Sequence, residues 1–157
     1  MSKNIVNKRK TFFIIMLIIT GLYIGFIWWH STMNAEKSAT ESLAVLNFFK
    51  NLFKSIGINS KLTDHIIRKS AHFCEFALLG CLTTWTAYAG NHRIVKNLMS
   101  TGFVCLGTAV IDELVQISAK GRSAEVTDVA LDFCGAATGF LIFLFVFLIV
   151  RLIRKAK

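Results

Sequence analysis

The sequence contains no proline, few charges and no charged residue at all within its first long apolar segment, residues 12–29. Only 17% of its residues are charged whereas 54% are hydrophobic, which leaves too little polar surface for an ordinary soluble domain of 157 residues. The apolar residues are also grouped into long blocks. This balance excludes most soluble classes and indicates that the bilayer is the solvent of the chain.

Two further absences exclude common kinds of site. The cysteines show neither zinc-ligand pairing nor the loop positions of a secreted disulfide framework, and we interpret them as small apolar packing residues. They are Cys74, Cys81, Cys105 and Cys134. No nucleophile elbow, P-loop, His-Glu-x-x-His motif or paired-cysteine signature occurs. The sequence therefore assigns no metal ligands, and it leaves the identity of any cofactor unknown.

The basic residues cluster beside the ends of the apolar blocks, although a net charge of +9 could have suited a nucleic-acid binder. They precede the first block, occupy the loop 90–97 and close the chain at 151–157. By the positive-inside rule, this pattern predicts a multi-pass protein of the cell membrane with both termini cytoplasmic, and it excludes nucleic acid as the partner. All nine acidic residues fall in the half predicted to be external.

Four segments approach the ~20 residues that a membrane-spanning helix needs. They are residues 12–29, 71–89, 98–117 and 129–150. A cleaved signal peptide is the alternative for the first segment, but no small-x-small cleavage site follows it, which favours a retained anchor. Because hydrophobic residues recur at helical spacing over 41–56, we also predict an external amphipathic helix that lies in the headgroup region, either as a simple cap or as a lid. The expected fold is an all-α, four-transmembrane-helix bundle forming a single domain.

Three of the predicted spans carry a pair of polar residues that share one helix face near the external end. The pairs are His72 with Glu75, Asp112 with Gln116, and Asp128 with Asp132. An Asp at the centre of a spanning helix costs ~2.5 to 3.5 kcal/mol on insertion-based scales, and less near the interface, so such residues usually face the protein interior. The sequence therefore predicts a polar recess shared by three helices.

Cationic side chains flank this predicted recess. Arg122 lies on the short loop 118–127, where its planar donors are expected to fork onto a carboxylate or an anionic ligand. Arg68 and Lys69 precede the second span closely enough to help hold an anion.

Small residues continue the acidic face of the fourth span. Gly135 and Gly139 follow Asp132 in a small-x-x-x-small pattern, which lets a neighbouring backbone approach closely. The packing face and the polar face of this helix are therefore expected to be one face.

Simpler interpretations of these residues stay open. His72 and Glu75 also suit an interfacial pair that happens to begin a helix, and Asp128 also suits a helix N-cap. Glu113 lies about a third of a turn from Asp112. Both acids cannot aim at one point, so one of them is expected to extend outward.

Two stretches resemble the VanZ-like family of membrane proteins. The first is Arg68-Lys69-Ser-Ala-His72-Phe-Cys-Glu75-Phe76 with Leu79-Gly80, and the second is Asp112-Glu113-Leu-Val-Gln116 followed by Gly121-Arg122, Asp128-Val129, Asp132, Gly135 and Gly139. The resemblance covers about residues 64–150 and implies a cell-envelope role linked to glycopeptide resistance, chiefly to teicoplanin. Similar proteins commonly have Tyr near Phe76, a proline before the Gly-Arg pair and Asn in place of Asp132. The departures of this chain therefore add one acid and leave the external turn less rigid.

Two functions from different classes follow. In the first, an outward-facing pocket binds a lipid headgroup or cell-wall precursor and so modulates glycopeptide susceptibility; its ligand-binding residues would be Arg68, Lys69, Gln116, Arg122, Asp128 and Asp132. In the second, the protein is an intramembrane hydrolase or transferase acting on an envelope lipid, and a divalent ion held by His72, Glu75, Asp112 and Asp128 could assist it. Its catalytic residues would be His72, Glu75, Asp112 and Glu113. A proton-coupled transporter is disfavoured because the inner half of the bundle offers no carboxylate to relay a proton.

Overall fold

The computed structural model describes residues 3–33, 40, 43–48, 50, 51, 55, 63–91, 93–118 and 125–156. Within these ranges the chain forms four long helices and no strand. The helices are α1 (Lys3–Ser31), α2 (Asp64–Asn91), α3 (Ile94–Ile117) and α4 (Val126–Ala156). Each helix contains one of the predicted spans and extends beyond it. The all-helical class is confirmed.

Three of the four helices are long and apolar enough to cross a membrane. Their candidate spans are Val6–Ser31, Asn97–Ile117 and Val126–Ala156. α2 has a comparable length of 28 residues but is less apolar. Both α2 and α3 contact all three other helices, and α2 makes the most extensive contacts, whereas α1 and α4 make no direct contact within the described ranges. A helix with much of its surface against protein meets less lipid, which explains why α2 tolerates polar residues.

Unlike a soluble domain, the bundle has a largely apolar outer surface and several polar residues in its interior. Leu22 and Phe103 are 72% and 70% exposed, whereas Asp112 and Asp132 are 0% and 1% exposed. Threonines such as Thr84 are buried as well. Such an outer surface would be unstable in water but matches hydrocarbon, which supports the expectation that lipid surrounds the bundle.

α2 and α4 approach each other at the level of the backbone. A Cβ atom at Gly139 would clash with the carbonyl oxygen of Ala77, and one at Gly80 would clash with the carbonyl oxygen of Ala136. Gly135 faces the backbone of α2 in the same way. Because only glycine leaves room for this separation, these positions fix the distance and register of the two helices.

Polar contacts join α1 to the bundle. The hydroxyl groups of Thr20 and Thr86 are 2.8 Å apart, Tyr23 donates to the carbonyl of Glu75 at 3.2 Å, and Trp28 Nε1 donates to the carbonyl of Thr108 at 3.3 Å. At the opposite end, Arg9 donates to the carbonyls of Ala89 and Gly90, at 3.3 and 3.0 Å. In hydrocarbon these bonds satisfy groups that water cannot reach.

The predicted amphipathic helix at 41–56 lies largely outside the described residues. Positions 43–48 are helical, with Leu46 buried and Phe48 exposed. Its length and its place in the headgroup region stay predictions.

The packing role predicted for the cysteines holds for two of them. All four thiols are free; Cys105 is buried and Cys81 is half-buried, with its Sγ 3.1 Å from the carbonyl oxygen of Gly139. Cys74 and Cys134 are exposed on the outside of the bundle, so the prediction is wrong for these two. Apolar character suits a cysteine to a lipid-facing surface as well as to a core.

The glycine contact predicts the effect of a single added methyl group. In Gly139→Ala the new Cβ would meet a backbone oxygen that no side-chain rotation can move, so we expect the free energy of unfolding to fall by about 1–3 kcal/mol. Unfolding by sodium dodecyl sulfate in mixed micelles measures this change. Gly107→Ala is the matched control, because nothing lies within 4 Å of a Cβ there. Equal unfolding midpoints for the two variants would contradict the assigned packing.

Candidate functional site

Three helices bring polar side chains together at one end of the bundle. His72 of α2, Asp112 of α3 and Asp132 of α4 each place a ligand atom so that all three lie within 4.8 Å of one another. Asp112 and Asp132 are fully buried, and His72 is partly buried. We call these three residues the His-Asp-Asp cluster.

Helix order and helix packing place this cluster. Antiparallel neighbours put the start of α2, the end of α3 and the start of α4 at the same end. Asp132 comes about one turn before Gly135. The face of Gly135 that lacks a side chain lies against the carbonyl of Phe73, the residue after His72. The close backbone contact therefore carries Asp132 to the depth of His72.

Asp112 is only partly satisfied by hydrogen bonds. Gln116 Nε2 donates to its Oδ2 atom at 2.9 Å, one helical turn away on the same face. His72 Nδ1 lies 3.9 Å from the same oxygen, beyond hydrogen-bond distance. In the part of the chain that the structure describes, Asp112 Oδ1 and both carboxylate oxygens of Asp132 have no hydrogen-bond partner.

Glu75 faces a different partner from His72. Its Oε1 atom lies 3.0 Å from Nδ1 of His30, at the end of α1, so the two residues of the predicted pair serve different contacts. His30 was missed by the sequence reasoning. It directly follows the first predicted span, and no spacing rule relates positions on helices that are not adjacent in sequence.

Glu113 and Asp112 are both buried, so the expectation that one of them extends outward is wrong. Glu113 Oε2 accepts a hydrogen bond of 3.0 Å from the backbone N–H of Glu125, just before α4. The two acids thus point to two different protein neighbours. Contacts of this kind between separate helices cannot be read from single-helix geometry.

Asp128 lies in the first turn of α4 and is not its N-cap, because its N–H donates to the carbonyl of Glu125 at 2.9 Å. Lys69 Nζ contacts Asp128 Oδ1 at 2.5 Å and Glu125 Oε2 at 3.9 Å. Lys69 precedes the segment 71–89, and the hydrogen bond to Asp128 raises the pKa of its amino group. The amino group therefore stays charged at neutral pH.

A cavity of about 90 Å³ opens beside the His-Asp-Asp cluster. Its lining includes both cations and acids, among them Arg68, Lys69, Glu113, Asp128 and Asp132. Gln116, His72, Leu131, Glu125 and His65 complete it. His65, which sequence reasoning also missed, stands seven residues or two helical turns before His72, and that spacing was the signal that could have revealed it.

Arg122 lies outside the described residues, so its position above the carboxylates stays a prediction. Arg68 lines the cavity and has no ion-pair partner among the residues placed by the structure.

The opposite end of the bundle has a contrasting lining. A wide groove of about 810 Å³ there is lined by aromatic residues and by three cations, Arg151, Arg154 and Lys155. No acidic residue occurs at 76–111 or 133–157 in the whole sequence. The two ends of the bundle therefore differ in charge: the acidic residues lie at the cavity end, and the opposite end carries cations without acids.

Comparison with known protein families gives a match that covers most of the chain. The chain matches the VanZ/LLP1 family over residues 12–149, which includes α1 and extends the resemblance noted for residues 64–150. No curated protein and no solved structure matches the chain.

Proposed function

Because the chain belongs to the VanZ/LLP1 family of membrane proteins, we propose that its polar cavity binds the headgroup of an envelope lipid or a lipid-linked cell-wall precursor. Binding there would alter susceptibility to glycopeptides of the teicoplanin type. Family membership supports a membrane protein linked to glycopeptide resistance. The observation that carries the proposal is the cavity beside the buried cluster, with Arg68 and Lys69 in its lining.

In this proposal all four helices span the membrane. α2 serves as the fourth span because it contacts all three other helices and because its residues Glu75 and Thr86 form hydrogen bonds with α1. The basic end, with Arg151 and Arg154, faces the cytoplasm, which follows the positive-inside rule. The cavity then opens at the external leaflet, where lipid-linked wall precursors and glycopeptides meet.

Labelling with a membrane-impermeant maleimide tests this topology. In a cysteine-free background, Ser118→Cys at the end of α3 should react in intact cells, since this residue is exposed at the cavity end. Asn91→Cys, exposed at the end of α2, is the matched position and should react only after permeabilisation. The reverse pattern, or equal reaction of both, would contradict the orientation.

The cavity lining suits a headgroup that carries both an acid and hydrogen-bond donors. Arg68 offers a planar guanidinium that can bind a phosphate or carboxylate through two parallel bonds. Lys69 adds a second positive charge close by, although it already binds Asp128. Asp128 and Asp132 can accept bonds from the hydroxyl or ammonium groups of the same ligand. Apolar side chains around the bundle leave the acyl chains in lipid.

Arg68→Ala provides the test of ligand binding. Loss of one charge-assisted contact costs about 1.5–3 kcal/mol, so binding of short-chain phosphatidylglycerol to the detergent-purified protein should weaken about tenfold or more. Arg93→Ala removes the same side chain at the opposite end and should leave binding unchanged. Calorimetry measures both variants, and teicoplanin susceptibility of cells that express them provides the second readout. Equal affinities for Arg68→Ala and the unmodified protein would remove this role.

Catalysis on an envelope lipid is the second candidate, and the position of His72 favours it. His72 lines the cavity, and the Asp112 carboxylate lies 3.9 Å from its Nδ1 atom. In this candidate His72 acts as general acid or base and Asp112 orients it. Glu113 lines the cavity but accepts the N–H of Glu125, and Glu75 faces His30. Both acids therefore have other partners, which makes their catalytic role less well supported than that of His72.

Lipid profiling separates the two candidates. If the protein is an enzyme, cells that express it should gain or lose a lipid species by mass spectrometry, and His72→Ala should restore the profile of cells without the protein. A general acid or base contributes about 10²- to 10⁴-fold to a rate, so the change should vanish nearly completely. Identical profiles in all three strains would count against catalysis and leave headgroup binding unaffected.

A further inference from the structure

The His-Asp-Asp cluster contains an electrostatic imbalance that the surrounding protein does not resolve. Asp112 and Asp132 are 0% and 1% exposed, and three of their four carboxylate oxygens receive no hydrogen bond in the described part of the chain. Buried carboxylates are normally paired with donors, with a cation or with a proton, because an uncompensated charge in a low-dielectric interior is costly.

Apart from the buried Ser31 hydroxyl, which lies beside Asp112, the neighbouring donors and cations are occupied elsewhere or lie too far away. The Gln116 amide serves Asp112 Oδ2 alone, and Lys69 forms its ion pairs with Asp128 and Glu125. In the described ranges no lysine or arginine forms an ion pair with Asp132. The cavity lining as a whole has four carboxylates against two cationic side chains, and buried Asp112 adds a fifth acid behind it.

We propose that His72, Asp112 and Asp132 bind one divalent cation of the Zn²⁺ or Mn²⁺ class. One imidazole nitrogen with carboxylate oxygens is a mixed ligand set that these ions accept. Three protein ligands leave coordination positions for water or a ligand from the adjoining cavity, as in catalytic zinc sites. Gln116, which holds Asp112 Oδ2, orients one ligand from outside the coordination shell.

The observed spacing is close to that of a bound site. Two ligand atoms about 2.1 Å from one ion are at most about 4.2 Å apart. The three atoms lie within 4.8 Å of one another, so no pair has to close by more than about 0.6 Å to come within that limit. Side-chain rotation on helices fixed by their glycine contacts is sufficient for such a movement.

The cation site stands independently of headgroup binding and of catalysis. A bound divalent ion would also favour binding of a phosphate headgroup, because it offsets two of the acidic charges that otherwise repel the phosphate. This one point rests on the proposed headgroup binding. A phosphate oxygen could then bind the ion while Arg68 binds the rest of the group.

Isothermal titration of Zn²⁺ and of Mn²⁺ into tag-free, chelator-treated protein in detergent tests the proposal. We expect one equivalent of one of these ions to bind. Asp132→Asn and His72→Gln should each weaken binding at least tenfold, since even outer-shell changes at metal sites cost about 10- to 100-fold. Asp64→Asn, in the first turn of α2 and outside the cavity lining, is the matched control and should bind as the unmodified protein does.

A second measurement keeps the result interpretable if a variant is unstable. The bound ion should raise the thermal midpoint of the unmodified protein and of Asp64→Asn, but not that of Asp132→Asn. Absence of stoichiometric binding of either ion, or equal affinities in all variants, would overturn the proposal. Because no lipid is present, these outcomes are separate from the Arg68 experiment.

Discussion

The close backbone contact between α2 and α4 is the constraint from which the rest of the structure follows. Gly80, Gly135 and Gly139 remove the side chains that would otherwise separate the two helices. Between helices in lipid there is little hydrophobic driving force, so close packing and polar contacts must supply the association energy. The contact continues directly into the polar end of the bundle, where it sets Asp132 against His72.

The two ends of the bundle are chemically opposed. One end collects the buried acids and a small polar cavity, whereas the other combines aromatic residues with Arg151, Arg154 and Lys155. Lipid supports this arrangement because it tolerates an apolar outer surface and penalises any ionisable group that faces outward. The proposed headgroup binding, catalysis and cation binding would all take place beside this excess of buried acid at one end.

Much of the architecture could be predicted from local patterns. The apolar blocks identified the helices, since segment length and composition are properties of the chain alone. Spacing of three or four residues put Asp112 with Gln116, and they are hydrogen-bonded. The free-energy cost of an Asp in hydrocarbon predicted that Asp132 faces the interior, and it is buried there. The predicted spans are several residues shorter than the observed helices, because helices continue past the hydrocarbon core.

The sequence by itself determined that the chain is helical, lipid-embedded and acidic at one end only, because composition and periodicity express these properties locally. Only the tertiary structure decided which side chains meet. In the structure His30 pairs with Glu75, and Glu113 accepts a hydrogen bond at the start of α4. The carboxylate oxygens of Asp132 have no donor among the described residues. Such contacts join residues far apart in the chain, and they depend on helix rotation and separation. The small-x-x-x-small pattern predicted a close approach to α4, but only the structure shows that α2 is the helix that makes it.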